Sequence, residues 1–318
     1  MISIVLPVVK TDYFEEALKS VLNQTHTDFE LIIVNNEADE GFDAIVTSHK
    51  DPRIVIKTHK PRVPIIENWN QCLSYANRKY FILFSDDDVM EVNYLAEMMS
   101  LAKKYPNCRM LHTCVRSFSE LTGVRDWSAS APEWEDGIGY VYETFVHGRA
   151  QLVSDFMWRT DHFKNQKGYV SLAGAWGSDE VTTYRMALSS DGGVVYCNKP
   201  LVNWRFSKEN FTTNMKFKAH ISATAEFELW MSNCVLGMEN SNPTDERVVI
   251  MKREFSGIIQ RRYISCLQNL GMGCSVLSPI LFKLINKGVA KKILWRSVLH
   301  AFFASISKKI SGVKSYRE

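Results

Sequence analysis

Over its first 120 residues the chain switches repeatedly between two hydrophobic periods, and this alternation restricts the available folds more than any other feature. Residues 3–9 are an unbroken apolar, β-branched run, the pattern of a strand covered on both faces. Asp12 with Glu15 three residues on has the form of a capping box. Phe14, Leu18, Val21 and Leu22 then recur at helical spacing to about Gln24. A second strand over residues 29–34 stops at Asn35-Asn36. A short helix is expected over 42–49, a third strand over 53–58, and a helix over 65–77 with Trp69, Leu73 and Ala76 on one face. A fourth strand, 80–84, runs directly into Ser85-Asp86-Asp87-Asp88 and is followed by a helix over about 93–104. Strands and helices alternating at this spacing require right-handed βαβ crossovers. The expected fold class is therefore α/β, a mostly parallel sheet flanked by helices. Such sheets take ligands outside the carboxyl ends of their strands. Asn35-Asn36 and the Asp triplet, distant in sequence, should meet on one rim.

The remainder is less periodic. Residues 110–210 are rich in Trp, Gly and Asp, as in Arg125-Asp126-Trp127, Trp134-Glu135-Asp136 and Gly174-Ala175-Trp176-Gly177, and read as further strands and binding loops. From Lys216 onward the pattern is helical, so the expected division is a 1–215 domain and a helical C-terminal region, 216–318. With 46% hydrophobic and 23% charged residues the chain is not disordered, and a net charge of +3 is too mild for a general nucleic-acid binder. The charge is uneven: residues 283–318 hold nine Lys or Arg against one acid, leaving a slightly acidic body. Seven cysteines without a C-x-x-C spacing indicate neither a disulfide framework nor a zinc site, and suit a reducing cytoplasm. The start lacks the basic segment and long apolar run of a secretory signal. Residues 263–282 carry no charge, but Gln268, Asn269, Gly271, Gly273, Pro279 and three serines argue against a membrane span. Farther on, Trp295, Leu299, Phe302, Phe303, Ile306 and Ile310 share a helical face opposite Arg296, His300, Ser307 and Lys308. This fits an interfacial helix on an anionic membrane surface, and equally a last core helix with solvated basic residues.

The chemistry centres on Asp86-Asp87-Asp88. Three adjacent carboxylates repel one another, and sequestering them is costly unless a cation compensates. A hard divalent cation prefers such oxygens and also binds diphosphates. A solvated acidic turn or a helix N-terminus is the alternative, and the position after a buried strand favours the cation.

Several segments together resemble family 2 glycosyltransferases: Ile4-Val5-Leu6-Pro7-Val8, Ser20-Val21-Leu22-Asn23-Gln24-Thr25, Phe29-Glu30-Leu31-Ile32-Ile33-Val34, and the strand that ends in Asp86-Asp87-Asp88. The resemblance covers about residues 1–210. It implies the GT-A (nucleotide-diphospho-sugar transferase) fold, an inverting reaction and a Mg²⁺ or Mn²⁺ cofactor. Asp87 matches the last Asp of the family's D-x-D element and would hold the metal; Asp86 matches the middle position, near the donor's ribose and sugar. Ser85 replaces the first Asp of many members, and Asp88 follows the motif as a supporting metal residue. Where the family often has Asp-Asp to read the base, this chain has Asn35-Asn36, whose amides still accept from and donate to a pyrimidine. Pro7 ends the first strand near the same pocket. Glu67-Asn68-Trp69-Asn70 resembles a stretch of bacterial surface-polysaccharide transferases, with Asn68 toward the donor and Trp69 read as core.

In Trp176-Gly177-Ser178-Asp179-Glu180, followed by Arg185, Asp179 matches the family's general base and also fits a helix N-cap, two compatible roles. Glu180 is the alternative base. Arg205, in Leu201-Val202-Asn203-Trp204-Arg205-Phe206-Ser207 with Asn210 beyond, either neutralises the leaving diphosphate or is a surface strand residue. The resemblance thus implies transfer of a sugar from a nucleotide-diphosphate donor, UDP-linked, to a hydroxyl of a glycan or lipid-linked acceptor, by an enzyme peripheral on the inner face of the cell membrane. The competing readings are a nucleotidyltransferase, against which the glycine-free Val8-Val9-Lys10-Thr11-Asp12 counts, a non-catalytic glycan- or nucleotide-binding protein of the same fold, and a membrane scaffold built on the basic tail.

Overall fold

The computed structural model describes residues 1–119, 123–126, 130–206 and 217–268. It divides into two compact units: Met1–Ser171 with Ser178–Thr213, and Leu172–Gly177 with Asn214–Glu318.

The first unit is built on the alternation read from the sequence. In order come β1 (Ile2–Val8), α1 (Phe14–Leu22), β2 (Phe29–Asn35), α2 (Phe42–Ser48), β3 (Ile54–Thr58), α3 (Ile65–Tyr75), β4 (Tyr80–Leu83), β5 (Val89–Met90) and α4 (Tyr94–Lys104). Then follow β6 (Met110–Ser119), β7 (Gly123–Asp126), β8 (Trp134–Glu135), α5 (Gly137–Phe145), β9 (Phe156–Arg159), α6 (Thr160–Asn165), α7 (Ser178–Leu188) and β10 (Val194–Arg205). The sheet order is β3-β2-β1-β4-β9-β6-β10-β5, with β7 against β6 and β8 against β10. All seven residues of β1 are buried, as its position between two parallel neighbours and two helix layers demands.

The sheet is parallel over β3-β2-β1-β4 and mixed beyond. β9 enters antiparallel to both β4 and β6, while β10 returns parallel to β6. The expectation of a mostly parallel sheet therefore holds for the half with a clear strand–helix rhythm. β9 departs from it: it reaches the sheet from a short 3₁₀ turn, Val153–Asp155, and runs antiparallel to both its neighbours. Pro7 fits inside β1 for a definable reason. The Val5 carbonyl accepts from Phe84 N and the Val8 carbonyl from Asn36 N, so alternate residues of β1 face β4 and β2. Pro7 faces the β4 side beyond the last β1–β4 pair, Val5 with Leu83, where a missing N–H leaves no ladder bond unmade.

The capping box expected at Asp12 and Glu15 does not form. α1 is entered at Tyr13 without a side-chain cap, and the preceding Thr11 is fastened to Asp39, its N–H and its hydroxyl each donating to that carboxylate.

In the second unit, α8 (Phe217–Ser241) and α9 (Glu246–Gln268) pack as an antiparallel pair, with Tyr263 Oη donating to Glu228 (2.9 Å). The segment 172–177, expected in the first domain, groups here. Its Ala173 N donates to Glu226 (2.7 Å), and the Trp176 ring lies edge-on to His220 and under the Arg262 guanidinium. Among the described residues no helix is long and apolar enough to cross a membrane. Trp127, Ser207, Asn210, Cys274, most of the uncharged stretch 263–282 and the basic segment 283–318 lie outside the described residues.

Candidate active site

The Asp triplet occupies a turn between two strands that are not neighbours. β4 ends at Leu83, and the chain leaves the sheet through residues 84–88. It rejoins as β5 on the far edge of β10, pairing Val89 with Asn203 and Met90 with Val202. The turn therefore crosses the carboxyl-end rim of β4, where β1 and β2 also end.

Each carboxylate has a different task. Asp86 Oδ2 accepts from the Val9 N–H (2.9 Å) and the Lys10 N–H (3.3 Å), tying the loop after β1 to the turn. Burial raises its pKa to about 6, with the Asp87 charge adding to the rise. Asp88 is 2% exposed; Oδ2 accepts from Ser154 Oγ (2.6 Å) and Oδ1 from the Arg205 N–H (3.1 Å). Burial, then the neighbouring Asp87 charge, pushes it up to about 8. Asp87 is half-buried and is the carboxylate left to the rim; desolvation raises its pKa, while the Arg205 and Lys10 charges act in opposition. The expected role of Asp88 beside a metal needs correction. Both its oxygens are spent on Ser154 and the β10 backbone, so it anchors the turn from below.

Arg205 also differs from expectation. It is 6% exposed, and its guanidinium lies 4.1 Å from the Tyr13 ring centroid and 4.4 Å from that of Phe118. Nε donates to the Asp87 carbonyl (2.9 Å) and Nη2 pairs with Glu16. It is neither a surface strand residue nor an outstretched cation. The planar head is clamped between rings, where Arg is favoured, and holds the backbone of the triplet.

The two asparagines after β2 separate in the same way. Asn36 is 2% exposed. Its Nδ2 donates to the Val63 carbonyl (3.0 Å) and its Oδ1 accepts from the Val63 N–H (2.8 Å). That reciprocal pair fixes the loop before α3 and removes Asn36 from the residues able to read a base. Asn35 is half-buried; its Oδ1 accepts from the Ala38 N–H (2.8 Å), an Asx turn that leaves the amide on the rim. Asn68 is corrected likewise. It points inward from α3, 2% exposed, with Oδ1 3.0 Å from His59 Nδ1. Trp69 packs on Tyr169 (centroids 5.1 Å apart), in line with a core role.

Asp179 lies in the first turn of α7, which begins one residue earlier, at Ser178; it is thus inside the helix and not its N-cap. Half-buried, it borders a small, partly open void shared with Gln151, Phe156, Trp158 and Tyr169. Between it and the triplet lies Asp155, fully buried and raised well above the usual carboxylate range by desolvation, with the charges of Asp179 and Asp88 adding to the rise. Asp155 Oδ2 stands 3.9 Å from Nδ1 of the equally buried His112. Ser154 and Asp155 carry no motif that a sequence pattern would reveal. Only the return of β9 against β4 brings them beneath the triplet.

Among the described residues no three ligating side chains converge into a closed metal site. The residues present nevertheless fit an open one. Hard divalent cations, Mg²⁺ above all, commonly use one or two carboxylates and complete their shell with substrate phosphates and water. Asp87 on the rim, amid three acids whose ionisation is penalised, has the chemistry for that.

Comparison with known proteins bears on the fold. The architecture is that of the GT-A nucleotide-diphospho-sugar transferases. Staphylococcus aureus TarS, solved with UDP-GlcNAc, superposes with a TM-score of 0.62 over 85% of this chain and 81% of its own, at 12% identity. The mannosyltransferase PcManGT of Pyrobaculum calidifontis, solved with GDP-Man and Mn²⁺, gives 0.55 over 97% and 86%, at 11% identity. Residues 3–135 match the family model described as Glycosyl transferase family 2. The putative glycosyltransferase EpsE of Bacillus subtilis is 26% identical over 49% of this chain and 55% of its own length. A UDP-Glc:alpha-D-GlcNAc-diphosphoundecaprenol beta-1,3-glucosyltransferase of Escherichia coli, WfgD, is 24% identical over 33% and 42%. The chain thus spans about half the length, or less, of these curated relatives.

Proposed function

We propose that this protein is an inverting glycosyltransferase that moves a sugar from a UDP-linked donor to a hydroxyl of a lipid-linked surface glycan. The observation that carries the reading is the triplet turn: two acids anchored by backbone, serine and strand, and the third, Asp87, held on the rim where β1, β2 and β4 end. The names of WfgD and TarS, which involve UDP-sugars and in one case a diphosphoundecaprenol acceptor, favour the choice of donor and acceptor.

In this reading Asp87 holds Mg²⁺ or Mn²⁺, and the bound cation supplies Lewis-acid stabilisation of the leaving diphosphate. Asp86 orients the loop after β1 over the donor. Asn35 offers its amide to the base, and Pro7 shapes the end of β1 beneath it. Arg205 acts as a positioning residue, through the Asp87 carbonyl. Asp179 removes the proton from the acceptor hydroxyl as it attacks the anomeric carbon on the face opposite the diphosphate. The bond to the diphosphate breaks as the new glycosidic bond forms, through an oxocarbenium-like state. The basic segment 283–318 places the protein on the inner membrane face, next to a lipid-linked acceptor.

The test is an assay of the purified chain with a panel of nucleotide-sugars and undecaprenyl-diphosphate-linked acceptors, with and without divalent cation. Metal-dependent release of UDP with a new glycosidic bond is expected. Release of pyrophosphate from a nucleoside triphosphate and a sugar phosphate would identify a nucleotidyltransferase instead.

A further inference from the structure

An open cleft of about 410 Å³ lies at the end of the sheet opposite the triplet rim, with Arg109, Arg159, Asp161, His162 and Asp191 in its lining. Strand register fixes its place. Arg159, the last residue of β9, pairs with Tyr80, the first of β4, while Met110 and Val194, which open β6 and β10, pair with each other. The cleft therefore stands at the amino ends of β4, β6 and β10. Its volume falls in the range of roughly 300–1,000 Å³ that small-molecule sites occupy.

Two like charges meet there. Met110 pairs with Trp158, and the Arg159 N–H donates to the Arg109 carbonyl (2.9 Å), so Arg109 and Arg159 stand directly opposite each other where β6 and β9 end. Like charges in that position repel. No buried acid answers them. Arg109 Nη2 is 3.5 Å from Asp191, whose side chain is 90% exposed, and Arg159 Nη2 donates to the 67% exposed Asp161 (3.3 Å); such solvated bridges are worth little. Behind Arg109, Nη1 donates to His162 Nδ1 (3.2 Å). A guanidinium can only donate, so Nδ1 accepts and the proton sits on Nε2, which donates to Ser189 Oγ (3.1 Å) as that hydroxyl donates to the Met186 carbonyl (3.1 Å). The buried His162 is thus a neutral prop that aims Arg109 without cancelling its charge. A Cβ on Gly192 would fall 2.1 Å from the Asn107 carbonyl oxygen, so only glycine lets the turn before β10 close on the segment before β6 and wall the cleft.

We propose that this cleft binds a phosphate monoester carried on a sugar-sized, hydroxylated body, with the phosphate held between Arg109 and Arg159. One guanidinium fork is enough for a carboxylate. A phosphate monoester brings three free oxygens and nearly two negative charges, which suffice for both forks and cancel their repulsion. The cleft is larger than a phosphate group needs, and the rest of its lining suits hydroxyls: Asn107 and Asn165 offer amides, and Asp161 and Asp191 offer acceptors. The site is separate from the triplet rim, and it stands whether or not the transfer reaction proposed above does.

The test is calorimetric titration of the full chain, without divalent cation, by glucose 1-phosphate, orthophosphate and glucose. Glucose 1-phosphate is expected to bind stoichiometrically and more tightly than orthophosphate, and glucose not to bind. Arg109→Gln and Arg159→Gln should each weaken glucose 1-phosphate by about tenfold or more, the worth of a lost charge-assisted contact. Asp87→Asn, at the rim, should leave its affinity unchanged. On the parent chain the same ligand should slow modification of Arg109 and Arg159 by phenylglyoxal, read by peptide mass, and this measurement decides if an arginine variant does not fold. Equal affinity for orthophosphate would overturn the hydroxylated body and leave free phosphate as the ligand. The site itself is overturned by absence of binding, by binding that is lost in Asp87→Asn and kept in the arginine variants, or by modification of the two arginines at an unchanged rate.

Discussion

The β3-β2-β1-β4 half of the sheet and the β9-β6-β10 half build the same rim by opposite means. In the first, the polar residues at strand ends are held by backbone groups of nearby loops: Asp86 by Val9 and Lys10, Asn36 by Val63, Asn35 by Ala38. In the second, the residues beneath and beside the triplet are buried ionisable side chains in low-dielectric surroundings, Asp155 with His112 and Arg205 between two rings. The first arrangement forms a cradle at little electrostatic cost. The second keeps costly groups in place because a large packed core surrounds them, and sites that perturb carboxylates in this way are where acid–base chemistry concentrates.

The comparison breaks most sharply at Asp179. Asp179→Asn should reduce transfer by about 10³-fold without changing donor affinity, measured by nucleotide-sugar binding beside steady-state rates. Equal loss of donor binding would move this residue to the donor half. Asp87→Asn should cost about 10²-fold in kcat and remove the response to added Mn²⁺, read by a metal titration of the rate. Arg205→Met should lower stability by about 2 kcal/mol, since the pair with the exposed Glu16 counts for little and the lost bond to Asp87 O and ring contacts count for more. Chemical denaturation measures it. Within the first half, Asn36→Ala should cost about 1–3 kcal/mol by stranding the Val63 peptide, whereas Asn35→Ala should act on donor KM.

The buried half also carries a pH dependence. Burial depresses the His112 pKa from 6.5 to about 3. The unfolded chain takes up a proton below about pH 6.5 that the folded chain refuses. Stability contributed by the neutral ring is therefore full above that pH and is lost as pH falls toward 3, by about 1.4 kcal/mol per unit. His112→Phe, which keeps the stack on Phe156, should flatten this acid slope in a series of melts from pH 7 to 4. An unchanged slope would assign it to other groups.

The strand–helix alternation placed β1 to β4 and their helices to within one or two residues, because buried strands and amphipathic helices write their periods directly into composition. The capping box at Asp12 was misleading, since Asp39 from a different loop takes Thr11 and helix α1 begins later. Asn68 looked like a ligand residue by resemblance, yet the helix turns it toward His59. Nothing local in the sequence distinguishes an inward from an outward Asn when the adjoining Trp69 is only half-buried.

By itself the sequence determined the class of sheet and the rim at which Asn35 and the Asp triplet meet, for hydrophobic period and strand-end position are local properties. Tertiary structure alone decided which acid faces outward, that Arg205 braces the turn, and that the buried Asp155 couples to both Asp88 and Asp179. Those outcomes depend on burial and partners contributed by segments far apart along the chain, and no short window of residues encodes them.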